Sequence, residues 1–210
     1  MNNKQLSITL LLTCLILTCF SQTPSCYEMN KDEYYKLSYK NFNNDYLKPK
    51  LKWYLSCESG LPEPKFFKKY NFLLEGKSKA FLKTNDLKVE VISQKFDKDK
   101  HSFITYSDNT ICKIDGKAFF GTDDNLPLEE FKNIQINIDQ KEVFFPKNSY
   151  SELYNPTLSY GNEARITLLQ DKKEGYTIII MYASDGAGGY GIVWIFKNGK
   201  YLTRIVDFIC

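Results

Sequence analysis

Tyr190-Gly191-Ile192-Val193-Trp194-Ile195-Phe196-Lys197-Asn198-Gly199-Lys200-Tyr201 reads as one strand, a two-residue turn and the start of the next strand. Asn-Gly between two such runs favours a hairpin turn, because both central positions need positive φ and these two residues accept it. Ile192 to Phe196 carries no polar residue. Alternation with a solvent face is therefore absent, and the run predicts a central strand covered on both sides. Working outward, Arg165–Leu169, Tyr176–Ala183 and Tyr201–Val206 have the length and the β-branched or aromatic content of strands, joined by short loops rich in Lys, Asp and Gly. Together the four predict an antiparallel meander.

The strand signal extends upstream to Lys88. Val89 and Val91 alternate with polar neighbours, Phe103–Tyr106 is β-rich, and Asp115-Gly116 divides two apolar segments between Ile111 and Phe120 as a hairpin turn would. Ile134, Ile136 and Ile138 alternate cleanly and predict a strand turning through Asp139–Lys141 into Val143-Phe144-Phe145. Before Lys88 the pattern changes. Asn30 as N-cap with Glu33 three residues on predicts a helix from Lys31 to about Leu47, with Tyr35, Tyr39, Phe42 and Tyr46 along one packing face. Pro49 ends it, and Leu51–Ser56 reads as a short strand or a further helical turn. Leu61–Leu82, broken by Pro62 and Pro64, is helix-leaning. The expected fold is α+β, mainly β: an antiparallel sheet or sandwich with a C-terminal meander and N-terminal helices packed beside it. The expected organisation is residues 1–21 as a signal peptide, 22–87 as a helix-leaning region and 88–210 as an antiparallel β region, the last two forming one compact unit.

The first twenty-odd residues predict export. Lys4 precedes an uncharged apolar run from Leu6 to Phe20, followed by Ser21-Gln22-Thr23. That run has the length of a signal h-region and is short for a membrane span. Cutting after Ser21 leaves Gln22 as the new terminus and is favoured, because Cys19 and Ser21 are then the small residues the peptidase needs. The rival is lipid attachment at Cys19, which Thr18 fits poorly, and a retained span is the third reading. Phe20-Ser21-Gln22 resembles the ends of Bacteroidota signal peptides.

Four cysteines follow the leader: Cys26, Cys57, Cys112 and Cys210. In an exported chain two disulfides are the default, with three connectivities open. Cys26–Cys57 with Cys112–Cys210 is the preferred pairing, and closing a loop of about thirty residues contributes roughly 3–4 kcal/mol on the chain-entropy model. The whole chain carries a net charge of only +3, which excludes an electrostatic case for nucleic acid. Gln22–Lys100 is the basic part and His101–Cys210 the acidic one. A solvated lysine-rich face is the expected consequence, ahead of a docking surface for an anionic envelope polymer or lipid.

Motifs with chemical content are few. Gly186-Ala187-Gly188-Gly189-Tyr190-Gly191 matches G-x-G-x-x-G, but a strand follows it where a dinucleotide site needs a helix N-terminus. It is expected to be a hairpin loop, with Ser184 and Asp185 as a weak cation or binding-loop candidate. Asp123 and Asp124 form a second acidic binding-loop candidate, favoured as a solvated turn. Asp97, Asp99 and His101 alternate, yet Lys98 and Lys100 interleave them, and the only histidine is expected at the surface. No serine elbow or zinc-binding helix motif is present. Trp53 and Trp194 are the first residues to inspect for a sugar-stacking platform.

Lys113-Ile114-Asp115-Gly116-Lys117 with Phe120-Gly121-Thr122-Asp123, and Ser184 to Tyr190 with Trp194 and Lys197-Asn198-Gly199-Lys200, resemble uncharacterised exported bacterial proteins. The resemblance covers under a quarter of the chain and implies a shared β core without an activity. The expectation is a non-enzymatic exported protein without a cofactor, binding an envelope protein or a polysaccharide. The alternative is a carboxylate-based hydrolase of an envelope or external polymer, since two carboxyl groups suffice for that chemistry.

Overall fold

The computed structural model describes residues 25–55, 65–106, 110–122, 125–184 and 188–208. Residues 1–24, which hold the expected signal peptide and Cys19, and Cys57, Asp123, Asp124, Asp185, Gly186 and Cys210 lie outside the described residues. Two helices come first, α1 (Cys26–Leu37) and α2 (Lys48–Leu55). Fourteen strands follow among the described residues: β1 (Lys68–Asn71), β2 (Leu73–Leu74), β3 (Lys79–Lys83), β4 (Leu87–Lys95), β5 (Phe103–Thr105), β6 (Ile111–Ile114), β7 (Glu129–Ile138), β8 (Lys141–Glu142), β9 (Ser159–Tyr160), β10 (Glu163–Ala164), β11 (Ile166–Asp171), β12 (Tyr176–Ala183), β13 (Tyr190–Lys197) and β14 (Lys200–Phe208).

The expected meander forms. β11, β12, β13 and β14 pair in sequence order, all antiparallel, and β1 joins outside β11 to give a five-stranded first sheet. Asn198 and Gly199 turn β13 into β14 with φ of 50° and 71°, the positive values the Asn-Gly pair was selected for. A second five-stranded sheet has the order β2-β3-β4-β7-β8, and β5–β6 and β9–β10 form separate two-stranded pairs.

The apolar run of β13 splits by parity, as a pleated strand requires. Ile192, Trp194 and Phe196 face a core shared with Val89, Val91, Ile134 and Ile136 of the second sheet. Val193 and Ile195 point the other way, into a cluster with Leu47, Leu51 and Tyr54 around α2. The molecule is thus layered as helix, first sheet, second sheet, and the first sheet is the one buried on both faces. A third cluster, with Phe96, Ile111, Ile114, Phe119 and Tyr154, fills the corner under β5 and β6.

The N-terminal part corrects several expectations. The first helix starts at Cys26, where Ser25 is the N-cap and accepts from the Glu28 N–H at 3.2 Å, so Asn30 lies inside the helix. It stops at Leu37 because Ser38 adopts an extended conformation and caps a short 3-10 turn, Tyr39–Asn41. The expected aromatic stripe is therefore divided: Tyr39, Phe42 and Tyr46 pack beneath the first sheet, while Tyr35 is exposed. Pro49 sits in the first turn of α2, where its missing N–H costs nothing, and does not end a helix. The helix-leaning reading of Leu61–Leu82 is overturned by β1, β2 and β3. In β3 only Ala80 and Leu82 are buried, a period of two that the crowd of upstream aromatics obscured.

The preferred disulfide pairing is also overturned. Cys26 bonds Cys112, with Cα atoms 4.9 Å apart across 86 residues of sequence, and the bond ties α1 to β6. The expected pairing would have pinned the N-terminal helices to each other, but α1 docks on β6. Asn30 Nδ2 donates to the Cys112 carbonyl at 2.7 Å, and Tyr34 Oη donates to the Phe119 carbonyl at 3.1 Å.

Candidate functional site

The fold brings together the two loops singled out in the sequence. Ser184, at φ 59°, donates its hydroxyl to the Gly121 carbonyl at 2.9 Å and its N–H to Thr157 Oγ1 at 3.2 Å. A Cβ on Gly188 would lie 2.8–2.9 Å from the Thr122 backbone, so the chain there approaches too closely for any side chain. Gly189 is buried as well. Gly121, at φ 106°, faces the Tyr154 carbonyl, which a Cβ would meet at 2.1 Å. The glycines described here serve close packing of one loop on another, and Ser184 has spent its donors on that packing. β13 follows directly and runs antiparallel to β12, so no helix N-terminus stands behind the glycines to hold a phosphate. Among the described residues no group of three His, Cys, Asp or Glu side chains is arranged to hold a metal ion.

His101 is not at the surface. Its side chain is 13 % exposed, and its ring stacks on Phe96 at 4.6 Å. Nδ1 lies 2.8 Å from Asp115 Oδ2 and Nε2 lies 3.0 Å from Glu130 Oε2. Asp97 does not join them; its carboxylate accepts from the Asp99 N–H and pairs with Lys100 at 2.9 Å. Asp115 also accepts from the Ser102 N–H at 3.0 Å, and Glu130 accepts from Gln94 Nε2 at 2.7 Å. Burial opposes ionisation of Asp115, but the Ser102 N–H and the imidazole outweigh it and hold its carboxyl below the usual range. An imidazolium donates to both carboxylates, and a neutral ring to only one. With both nitrogens so engaged, neither is left to take a proton from a nucleophile, and Ser102 Oγ approaches Asp115 at 3.4 Å, not the ring. The arrangement is a clamp between the β6 turn and β7. Asp115 and Glu130 carried no periodic signal that would have marked them as its jaws.

A groove lined by aromatic rings lies where α1 meets β14. Tyr34 packs edge-on against Phe120 at 5.0 Å and Phe208 at 5.3 Å, and Tyr27 stacks on Tyr34 at 5.9 Å. These rings line a groove of about 370 Å³ with Tyr35, Lys31 and Lys40. Tyr27 and Tyr35 are each 54 % exposed and Phe208 42 %, so three rings of one groove face solvent together. Tyr27, Lys31, Tyr34 and Tyr35 follow helical spacing, a signal lost when the helix is begun at Lys31. The tryptophans form no platform: Trp194 is fully buried with Nε1 donating to the Ser149 carbonyl at 2.9 Å, and Trp53 is half-buried against Tyr54.

No family model, no curated protein and no solved structure matches this chain.

Proposed function

We propose that the chain is an exported, non-enzymatic protein that binds a macromolecular partner, an envelope protein or polysaccharide, through the aromatic face of α1 and the end of β14. The observation that carries this reading is the groove floored by Tyr34 and Phe120, rimmed by the exposed rings of Tyr27, Tyr35 and Phe208. Clustered aromatic rings are the residues enriched at recognition surfaces, since they bury large area at little entropic cost, and Lys31, Lys40, Asp32 and Asp207 form a polar rim around them. Export is supported by the Cys26–Cys112 bond, which persists in oxidising compartments. The hydrolase alternative draws no support from the Asp115–Glu130 pair, because an imidazole fills the space where water and the scissile bond must sit.

The reading is tested by placing a photoreactive side chain at Tyr35 in the full chain and irradiating the native envelope fraction. A discrete adduct is expected from position 35 and not from Tyr160, which is 79 % exposed on the β9–β10 pair. Identical adducts from both positions, or none from position 35, would sink it.

A further inference from the structure

The two main sheets have four edges, and three are short. β2 and β8 have two residues each and β1 has four, opening with Lys68 and Lys69. Short and lysine-bearing edges template little. β14 is different: it is nine residues long and ends the first sheet. Alternate residues of such a strand direct N–H and C=O away from the neighbour that pairs with it. Among the described residues, no backbone-to-backbone hydrogen bond reaches β14 except from β13.

Part of this edge is covered. Tyr34 packs on Phe208, and the Tyr39 N–H donates to Asp207 Oδ2 at 2.7 Å, so α1 and the 3-10 turn guard its last residues. Beside Leu202–Ile205 a second groove of about 420 Å³ opens, walled on its far side by residues 36–44. The register slips between β13 and β14 here, leaving Leu202 without a partner across the ladder and 52 % exposed. Lys36 and Arg204 line the groove, and no carboxylate does among the described residues. Arg204 spends Nη2 on Glu152 and leaves Nη1 with no acceptor.

We propose that the Leu202–Ile205 edge of β14 receives an extended acidic segment of a partner protein as an added strand. The proposal rests on the partner-binding reading above and names its occupant. Strand addition supplies main-chain hydrogen bonds for affinity and leaves selectivity to flanking side chains. The open stretch suits about four residues at ~3.3 Å each. Carboxylates on the segment complement the exposed Lys36, since Arg204 already pairs with Glu152 and its Nη1 is buried. A second copy of this chain is a poorer occupant, since its β14 brings Lys200 and Arg204 with a single carboxylate, Asp207, which already accepts from the Tyr39 N–H.

The test uses the full mature chain with its disulfide intact and three synthetic pentapeptides: Glu-Val-Thr-Val-Glu, its counterpart with lysine for glutamate, and a fully N-methylated form of the first. The acidic peptide is expected to bind at least about tenfold more tightly than the other two and to slow exchange of β14 amides. Leu202→Glu, an exposed change that leaves the melting temperature unaltered, is expected to weaken it by a similar factor. Equal binding of the N-methylated peptide overturns strand addition, as does failure of all three at millimolar concentration. A soluble hexasaccharide that shifts the same amides while the peptides do not also overturns it, in favour of a glycan. If the Tyr35 adduct survives any of these results, only the strand-addition proposal falls; if it is lost too, the groove reading falls with it.

Discussion

The meander β11–β14 and the corner where α1 meets β6 are held by different forces. In the meander, Ile178, Ile179, Ile180 and Met181 are successive residues of β12, each at most 2 % exposed, and they alternate between two apolar clusters. The corner is tied by a disulfide, the Asn30 and Tyr34 hydrogen bonds, and Glu33, whose carboxylate takes both Lys113 and the Ala118 N–H. The His101 clamp fastens the same corner to β7. Apolar burial is set by what lies above and below a strand. The disulfide and the Asn30, Glu33 and Tyr34 ties instead each join residues 80 to 86 positions apart, the His101 clamp spans 14 and 29, and each can be cut singly.

The largest expected effect separates the doubly covered sheet from the singly covered one. Ile179→Ala and Ile180→Ala point to opposite faces of β12, yet each is expected to cost about 3 kcal/mol, as a cavity forms in either cluster. In β4 the same comparison should split. Val91, fully buried, belongs to the core, whereas its neighbour Ile92 lies on the outer face, and Ile92→Ala should cost under about 1 kcal/mol. Denaturant midpoints of the four variants measure this. Equal losses at Val91 and Ile92 would mean that the outer face of the second sheet is covered too.

That contrast also explains what was legible. The strands from β11 to β14, the alternating Ile134–Ile138 strand and the Asn198-Gly199 turn follow from local pattern, because hydrophobic period and turn chemistry are written in adjacent residues. The start of α1 was misplaced because Asn30 mimics an N-cap that Ser25 supplies. The front strands were hidden because Phe66 and Leu73, apolar yet exposed, blur the two-residue period around β1 and β2. Of the candidate site, the aromatic spacing on α1 was present in the sequence, but its partner Phe208 lies on the last strand. The Cys26–Cys112 bond and the His101 jaws are products of topology alone, and no spacing encodes them.

Removing the disulfide should strike the corner more than the meander. Replacing Cys26 and Cys112 together by serine is expected to cost roughly 2–4 kcal/mol, since the bond closes a long loop in the unfolded chain. Local opening then adds a directional signature. Amide protection should fall first at Ala118 and across β6, while the amides of β12 keep protection close to the new global limit. Protection falling in step through both regions would show that the corner and the meander open as one unit, and the comparison would fail.

Acid provides the finest cut. Burial disfavours the Glu33 carboxylate, but Lys113 and the Ala118 N–H outweigh it, and its folded pKa lies below the ordinary value, as that of Asp115 does. A carboxyl with a depressed folded pKa contributes stability that is fully present above its unfolded value, near 4, and is lost as pH falls through the folded one. Both groups sit in the corner and are more than a third exposed, so solvent screening keeps the combined effect below about 1 kcal/mol. Below about pH 4 the amide protons of Ala118 and Ser102, which donate to these two carboxylates, should therefore shift before any amide of β12 does. Glu33→Gln should remove the Ala118 transition and leave that of Ser102. A single transition shared by Ala118, Ser102 and Ile179 would mean that acid unfolds the molecule globally, with the corner no weaker than the meander it is tied to.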